Sequence, residues 1–180
     1  MLDADLAAQV EQDMRAVPDP EIPVITIDDL GVIRQVETAD VDGRPGMRVT
    51  ITPTYSGCPA MHAMADALAE AGRAHGIPVE VVTRLSPAWT TDWMSEEGRD
   101  KLRRFGIAPP TGERAHAGPP GPAHAGPPGP VPVGLQLRVV TCPQCGSDDT
   151  EEVARFGSTA CKALRRCLAC REPFDEFKTI

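Results

Sequence analysis

The sequence predicts an α+β domain, with helices on one face of a three-stranded sheet in the order α-β-β-α-β-α, followed by a small cysteine-bearing module. Three observations carry this. Along residues 1–112 the hydrophobic period switches between about 3.6 and 2, the signatures of helix and strand. An uncharged octapeptide, AHAGPPGP, then occurs twice in succession, at 115–122 and 123–130. Beyond it stand two Cys-x-x-Cys pairs.

Each element follows from its own residues. Leu6, Val10, Met14 and Val17 recur at helical spacing, so residues 3–16 read as an amphipathic helix. VPDPEIPV (17–24) holds three prolines and must be a loop. GVIRQVET and MRVTIT are β-branched, alternating runs joined by the turn-like DVDGRPG, which predicts a hairpin. Pro59 is suited to the first position of a second helix, whose apolar stripe is Met64, Leu68 and Ala71 and whose stop is Gly76 and Pro78. IPVEVVTRL reads as a buried strand. In SEEGRDKLRRF, Ser95 is the expected N-cap, with acids in the first turn, bases in the last, and Gly106 and Pro109 as the stop. Trp89 and Trp93 would share a face if their segment were helical; core or interface packing is the favoured role.

The domain boundaries follow: 1–112 for the α+β domain, 113–136 for a Gly/Pro/Ala linker, and 137–180 for the cysteine module. Repeated Pro and Gly with no charge give an extended linker with nothing to build a core, and His116 and His124 ride on it as passengers. Acidic side chains outnumber basic ones by 26 to 18, and the excess lies before the linker. Such a surface repels nucleic acid and anionic membrane. The N-terminus lacks the basic and apolar regions of a signal peptide, and no run reaches the ~20 apolar residues of a membrane span. A cytoplasmic protein is expected, with its six cysteines serving as metal ligands or reactive thiols rather than as disulfides.

Cys142, Cys145, Cys167 and Cys170 form two pairs 21 residues apart, the spacing of a zinc ribbon. A module this small seldom folds on its core alone, and a structural zinc contributes on the order of 10 kcal/mol. Rubredoxin-like iron or an iron–sulfur cluster are the rival occupants. Phe156, Phe174 and Phe177 are candidates to pack around the metal. Cys161 is left over. Lys162, Arg165 and Arg166 surround it in sequence, and positive neighbours lower a thiol's pKa, so a functional thiol and a filler residue are both open readings; its distance from Cys145 would also let it replace Cys167 as a ligand.

Cys58 stands alone in the first 140 residues, in TYSGCPAM. One reading is a small filler residue between loop and helix. The other is a functional thiol, because a helix N-terminus favours the thiolate, with Thr54 and Ser56 as nearby donors and His62 as a possible base.

DPEIPVITIDDLGVI with TPTYSGCPAM resembles the iron–sulfur cluster assembly domain family of SufT-like and cytosolic cluster-targeting proteins. PAWTTDWMSEEGRDKLRRFGIAPP and FGSTACKALRRC…CREPFDEFKTI resemble one branch of it, the PaaD-type (PaaJ) subunit of the phenylacetyl-CoA oxygenase, or epoxidase, system. The resemblance covers nearly the whole chain apart from the duplicated octapeptide. It implies an accessory, non-catalytic protein of aerobic phenylacetate degradation that helps mature a diiron oxygenase complex by handling iron or an iron–sulfur cluster transiently. It implies the oxygenase subunits and the flavin- and [2Fe–2S]-bearing reductase as partners, with self-association open. Carried onto this chain, Cys58 would be the transfer thiol and cofactor-binding residue, with Asp19, Glu21 and Asp28 in motif loops near it.

No helix carries a Glu-x-x-His pair for a diiron site, and no dinucleotide fingerprint is present, so the chain does not read as an oxygenase itself. Two alternatives to the maturation factor stay open: a thiol enzyme using Cys58 with His62, and a scaffold whose zinc ribbon binds a partner protein. The neutral ribbon argues against nucleic acid, whose binding needs a basic surface.

Overall fold

The computed structural model describes residues 2–111 and 138–179. Helix α1 spans Ala4–Arg15, and the Asp3 carboxylate caps it by accepting from the N–H groups of Asp5 and Leu6. Strands β1 (Ile33–Val41) and β2 (Arg44–Ile51) form the expected hairpin. Its turn is tighter than the sequence suggested. Asp42 and Gly43 both take positive φ, 53° and 75°, so two residues close the hairpin and the strands run on through Pro45.

Helix α2 (Met61–Ala74) crosses over to β3 (Val79–Thr83), which lies parallel to β2 and gives the order β1-β2-β3. Pro59 is not its first residue. Residues 58–60 close as a turn, with the Met61 N–H donating to the Cys58 carbonyl at 3.4 Å, and Ala60 has no side chain with which to cap the helix. Nor is β3 fully buried; it is an edge strand whose residues are half-buried or exposed. Helix α3 (Glu96–Phe105) starts at the Ser95 cap and ends at Gly106, with φ of 90°.

Alternation on β2 sorts the two faces of the sheet. Met47, Val49 and Ile51 are buried in the core with Val10 and Met14 of α1 and with Met64 and Leu68 of α2. On the other face Arg48 reaches Glu37 of β1 at 3.6 Å and Glu80 of β3 at 2.7 Å. The loop from 17 to 32 is itself part of the core and buries Ile22, Ile25, Ile27, Leu30 and Val32. Asp29 organises its end, accepting from the Thr26 N–H (3.0 Å), the Ser95 hydroxyl (3.0 Å) and the Lys101 ammonium (2.9 Å). Gly31 follows with φ of 69°; a Cβ there would lie 2.4 Å from the Trp93 carbonyl oxygen.

The cysteine module is a second sheet, built from β4 (Ile107–Ala108), β5 (Thr150–Ala154), β6 (Lys162–Cys167) and β7 (Pro173–Phe177) in the order β4-β7-β6-β5. Sequence reading missed β4. It directly follows α3, yet pairs parallel with β7, Ile107 opposite Asp175 and Ala108 opposite Glu176. The two sheets also share a core, because Cys161 and Phe177 are buried with the apolar residues of the first sheet and its helices.

Trp89 and Trp93 do not share a helical face, since only Thr91–Trp93 forms a single 3-10 turn. Trp89 is buried, donates from Nε1 to the Leu30 carbonyl at 2.9 Å, and meets Phe177. Trp93 lies under the Arg34 guanidinium, 3.5 Å from the ring centre. Both aromatic side chains pack rather than stand open. The duplicated octapeptide, with His116 and His124, lies outside the described residues. Among those described, no helix is long and apolar enough to cross a membrane.

Candidate functional site

The cysteines form two separate constellations. The first is the expected one. Cys142 and Cys145 come from a knuckle closed by the Gly146 N–H donating to the Cys142 carbonyl at 2.9 Å, with Gly146 at φ of 75°. Cys167 ends β6, and Cys170 follows in the turn before β7. All four Sγ atoms lie within 4.8 Å of one another. The Cys142–Cys170 and Cys145–Cys167 separations are 3.8 and 3.5 Å. Four sulfurs about 2.3 Å from one tetrahedral ion would stand about 3.8 Å apart, so the set fits a metal without rearrangement. The Cys170 N–H points at the Cys167 sulfur at 3.5 Å, a contact that favours a thiolate at that position. Phe174 packs here with Val140 and Ala108, whereas Phe156 is exposed and Phe177 belongs to the main core.

The second constellation surrounds Cys58. The turn before α2 brings its thiol to a narrow pocket that Asp19 and Glu21 of the 17–32 loop, Thr54, Tyr55, Met64, Phe177 and Cys161 also line. The free volume is about 10 Å³, the room of one water or one ion. Asp19 is 5% exposed, and its Oδ1 accepts from the N–H groups of Glu21 (3.0 Å) and Ile22 (2.7 Å), which fixes the loop against the pocket. Glu21 stands at the rim, exposed.

Electrostatics here oppose the sequence-based expectation. Burial pushes the Cys58 thiol above its ordinary pKa; the Ala60 N–H pulls it down, but Glu21, Cys161 and Asp19 add to the rise. The helix terminus does not prevail, because α2 begins only at Met61 and two acids share the pocket with the sulfur. Cys161 is raised in the same way, by burial first and then by Glu21 and Asp19, against the pull of the Thr159 hydroxyl 3.0 Å away and of Lys162. Burial also raises Asp19, against its two backbone hydrogen bonds and the charge of Lys162. Burial is thus the common reason that these groups resist ionisation.

Two protein-family models match the chain: “Iron-sulfur cluster assembly protein” over residues 7–83 and “PaaD zinc beta ribbon domain” over residues 127–178. A relative from Escherichia coli, named as a subunit of a “Putative 1,2-phenylacetyl-CoA epoxidase”, is 48% identical over 165 residues, 91% of this chain and 87% of its own. The chain belongs to the PaaD family of phenylacetyl-CoA epoxidase subunits. Two solved structures are similar to part of it. The crystal structure of a domain of unknown function from Bacillus anthracis is 22% identical, with a TM-score of 0.47, over 54% of this chain and 92% of its own. A conserved hypothetical protein from Thermotoga maritima is 24% identical, with a TM-score of 0.43, over 56% and 94%.

In this PaaD-family chain the residues singled out from sequence sort unevenly. Cys58, Asp19 and Glu21 meet in one pocket. Asp28 does not join them; it pairs with Arg15 of α1 at 2.7 Å. His62 is exposed on α2 and is not among the residues lining the pocket, so among the described residues no imidazole lines the pocket of Cys58. Cys161 does not replace Cys167 at the metal set and shares the pocket of Cys58 instead. Tyr55 was not foreseen at the site. Its phenol pKa is raised by burial, then by Cys58, Glu21 and Cys161.

Proposed function

We propose that this PaaD-family protein is a maturation factor of a phenylacetyl-CoA epoxidase complex, handling iron as cargo at Cys58, with an iron–sulfur cluster as the alternative for which the pocket would have to open. One observation carries the reading: Cys58 shares a pocket of ion size with Asp19 and Glu21. A soft thiolate with hard carboxylates beside it suits iron, and a bound cation would offset the burial that disfavours their charged forms. The volume of the closed pocket favours a single ion over a cluster or an organic substrate, and His62, the expected base, does not line it. Asp19 sets the loop and holds negative charge beside the sulfur; Glu21 at the rim can reach an ion as it enters. The family models and the Escherichia coli relative support the same assignment.

Cys142, Cys145, Cys167 and Cys170 are assigned to zinc, which would fill all four tetrahedral positions and act structurally. On this reading residues 1–112 form the cargo domain and 137–180 the ribbon, joined through 113–136. Partners are the oxygenase subunits and the [2Fe–2S] reductase, met in the cytoplasm. The test is a strain whose sole copy carries Cys58→Ser, assayed for phenylacetyl-CoA epoxidation and for the iron and sulfide content of its reductase. Both should fall while this protein's own zinc stays bound. Wild-type levels of both would remove Cys58 from the function.

A further inference from the structure

We infer that the cargo site is a two-thiol site assembled across the two sheets, with Cys161 of the ribbon as its second sulfur ligand. The inference rests on the proposed function and extends it. Cys161 lies just before β6, where the ribbon docks on the first sheet, and lines the same ion-sized pocket as Cys58, Asp19 and Glu21. Its placement is held from both sides. The Lys178 N–H donates to the Cys161 carbonyl at 3.0 Å, and Phe177, one residue earlier, is buried beside Trp89 of the first domain.

The chemistry favours a soft or borderline divalent cation such as ferrous iron. A single thiolate with a carboxylate binds such an ion weakly, whereas two sulfurs and an oxygen hold it while leaving a position open for a partner's ligand. Cys161 is 7% exposed and lines this pocket with Cys58. Among the described residues only the ribbon's four cysteines are already clustered, so an entering ion would have to draw the two sulfurs of this pocket together. Burial first, and then Glu21 and Asp19, keep both thiols protonated while the site is metal-free, and an arriving cation reverses that balance, releasing the thiol protons to water as it binds. Glu21 makes no ion pair among the described residues and is available at the entrance.

One consequence separates this site from a lone transfer thiol. Because one ligand belongs to the ribbon, binding at Cys58 depends on the ribbon being folded and docked. A structural metal in one sheet thus controls cargo in the other, without touching it.

The test uses the full chain with its four ribbon cysteines loaded with zinc, titrated anaerobically with Co²⁺, whose near-ultraviolet thiolate charge-transfer band grows with the number of sulfur ligands. Wild type should take up one Co²⁺ per chain. Cys161→Ser should lose about half of the band and bind at least tenfold more weakly, as should Cys58→Ser, while zinc content and thermal unfolding stay at wild-type values. Cys161→Ala is the second variant, needed if serine perturbs the core, and should bind as weakly. If both Cys161 variants bind like wild type while Cys58→Ser does not, the two-thiol site is wrong and the Cys58 reading stands. Loss of binding in none of the variants would overturn both.

Discussion

The rings of Trp89 and Phe177 lie 6.1 Å apart, tilted by 53°, and join the domain before the duplicated octapeptide to the last strand of the chain. Trp89 is also tied to the 17–32 loop through Leu30, which lines the pocket of Cys58 together with Phe177. The contact therefore couples the docking of the ribbon to the wall of the site.

Truncating that contact should be felt in both sheets. Phe177→Ala removes a side chain that is 1% exposed, a change that typically costs about 3–5 kcal/mol. Chemical unfolding followed by Trp fluorescence should show a lower midpoint, and metal binding at Cys58 should weaken with it. A midpoint shift with unchanged binding would mean that the pocket forms without the docked ribbon.

Two acids of the same loop should respond to amide substitution with opposite signs. Burial raises Asp29, but the Thr26 N–H, Lys101 and Ser95 outweigh it and leave its pKa below the ordinary 3.8. Its stabilisation is then present above that value and lost as pH falls through the lower folded value. Asp29→Asn should cost on the order of 1–3 kcal/mol at pH 7, the range for hydrogen bonds to charged groups, with the deficit shrinking below pH ~4.

Asp19 is raised, so its contribution is favourable below 3.8 and is lost as pH rises through the folded value. The Asn carbonyl can still accept from the Glu21 and Ile22 N–H groups. Asp19→Asn should therefore melt no lower than wild type at pH 7 while binding less iron. A lower melting temperature would show that the carboxylate is structural.

Thiol reactivity should follow the raised pKa values of Cys58 and Cys161. In zinc-loaded protein, iodoacetamide should modify Cys58 more slowly at pH 7 than it modifies a free model thiol, with the rate still climbing above pH ~9 as the remaining thiol ionises. Fast modification near pH 7 would restore the helix-terminus thiolate that the sequence suggested.

How far the sequence could be read depended on whether the signal was local. The α1 spacing, the Asp-Gly turn, the Ser95 cap and the two Cys-x-x-Cys knuckles each sit within a few residues, and each was legible. What escaped depends on pairing across distance. Nothing in Ile107–Ala108 announces a strand, because two residues carry no period; β7 makes them one. Cys161 looked like a spare metal ligand because only docking brings it to the pocket of Cys58. The direction of the Cys58 pKa depends on the same long-range packing, since burial raises it first and the acids of another loop add to the rise.

Shortening the duplicated segment should be nearly silent. The described chain stops at Thr111 and resumes at Arg138, where Arg138 Nε donates to Thr111 Oγ1 at 3.3 Å, so the intervening residues have no gap to span. Deleting residues 123–130 changes the loop-closure cost by about 0.3 kcal/mol from its logarithmic dependence on length. Melting temperature and zinc content should match wild type; a fall of several degrees would mean that the deleted copy packs on a sheet.

The central claim, that Cys58 holds metal cargo, is tested most directly by iron retention. Full-length protein, zinc-loaded in the ribbon and incubated anaerobically with ferrous iron, is desalted and assayed for iron beside Cys58→Ser. The account predicts iron approaching one per chain in wild type and at least a tenfold lower content in the variant, with zinc equal in both. Equal iron in the two proteins would contradict it.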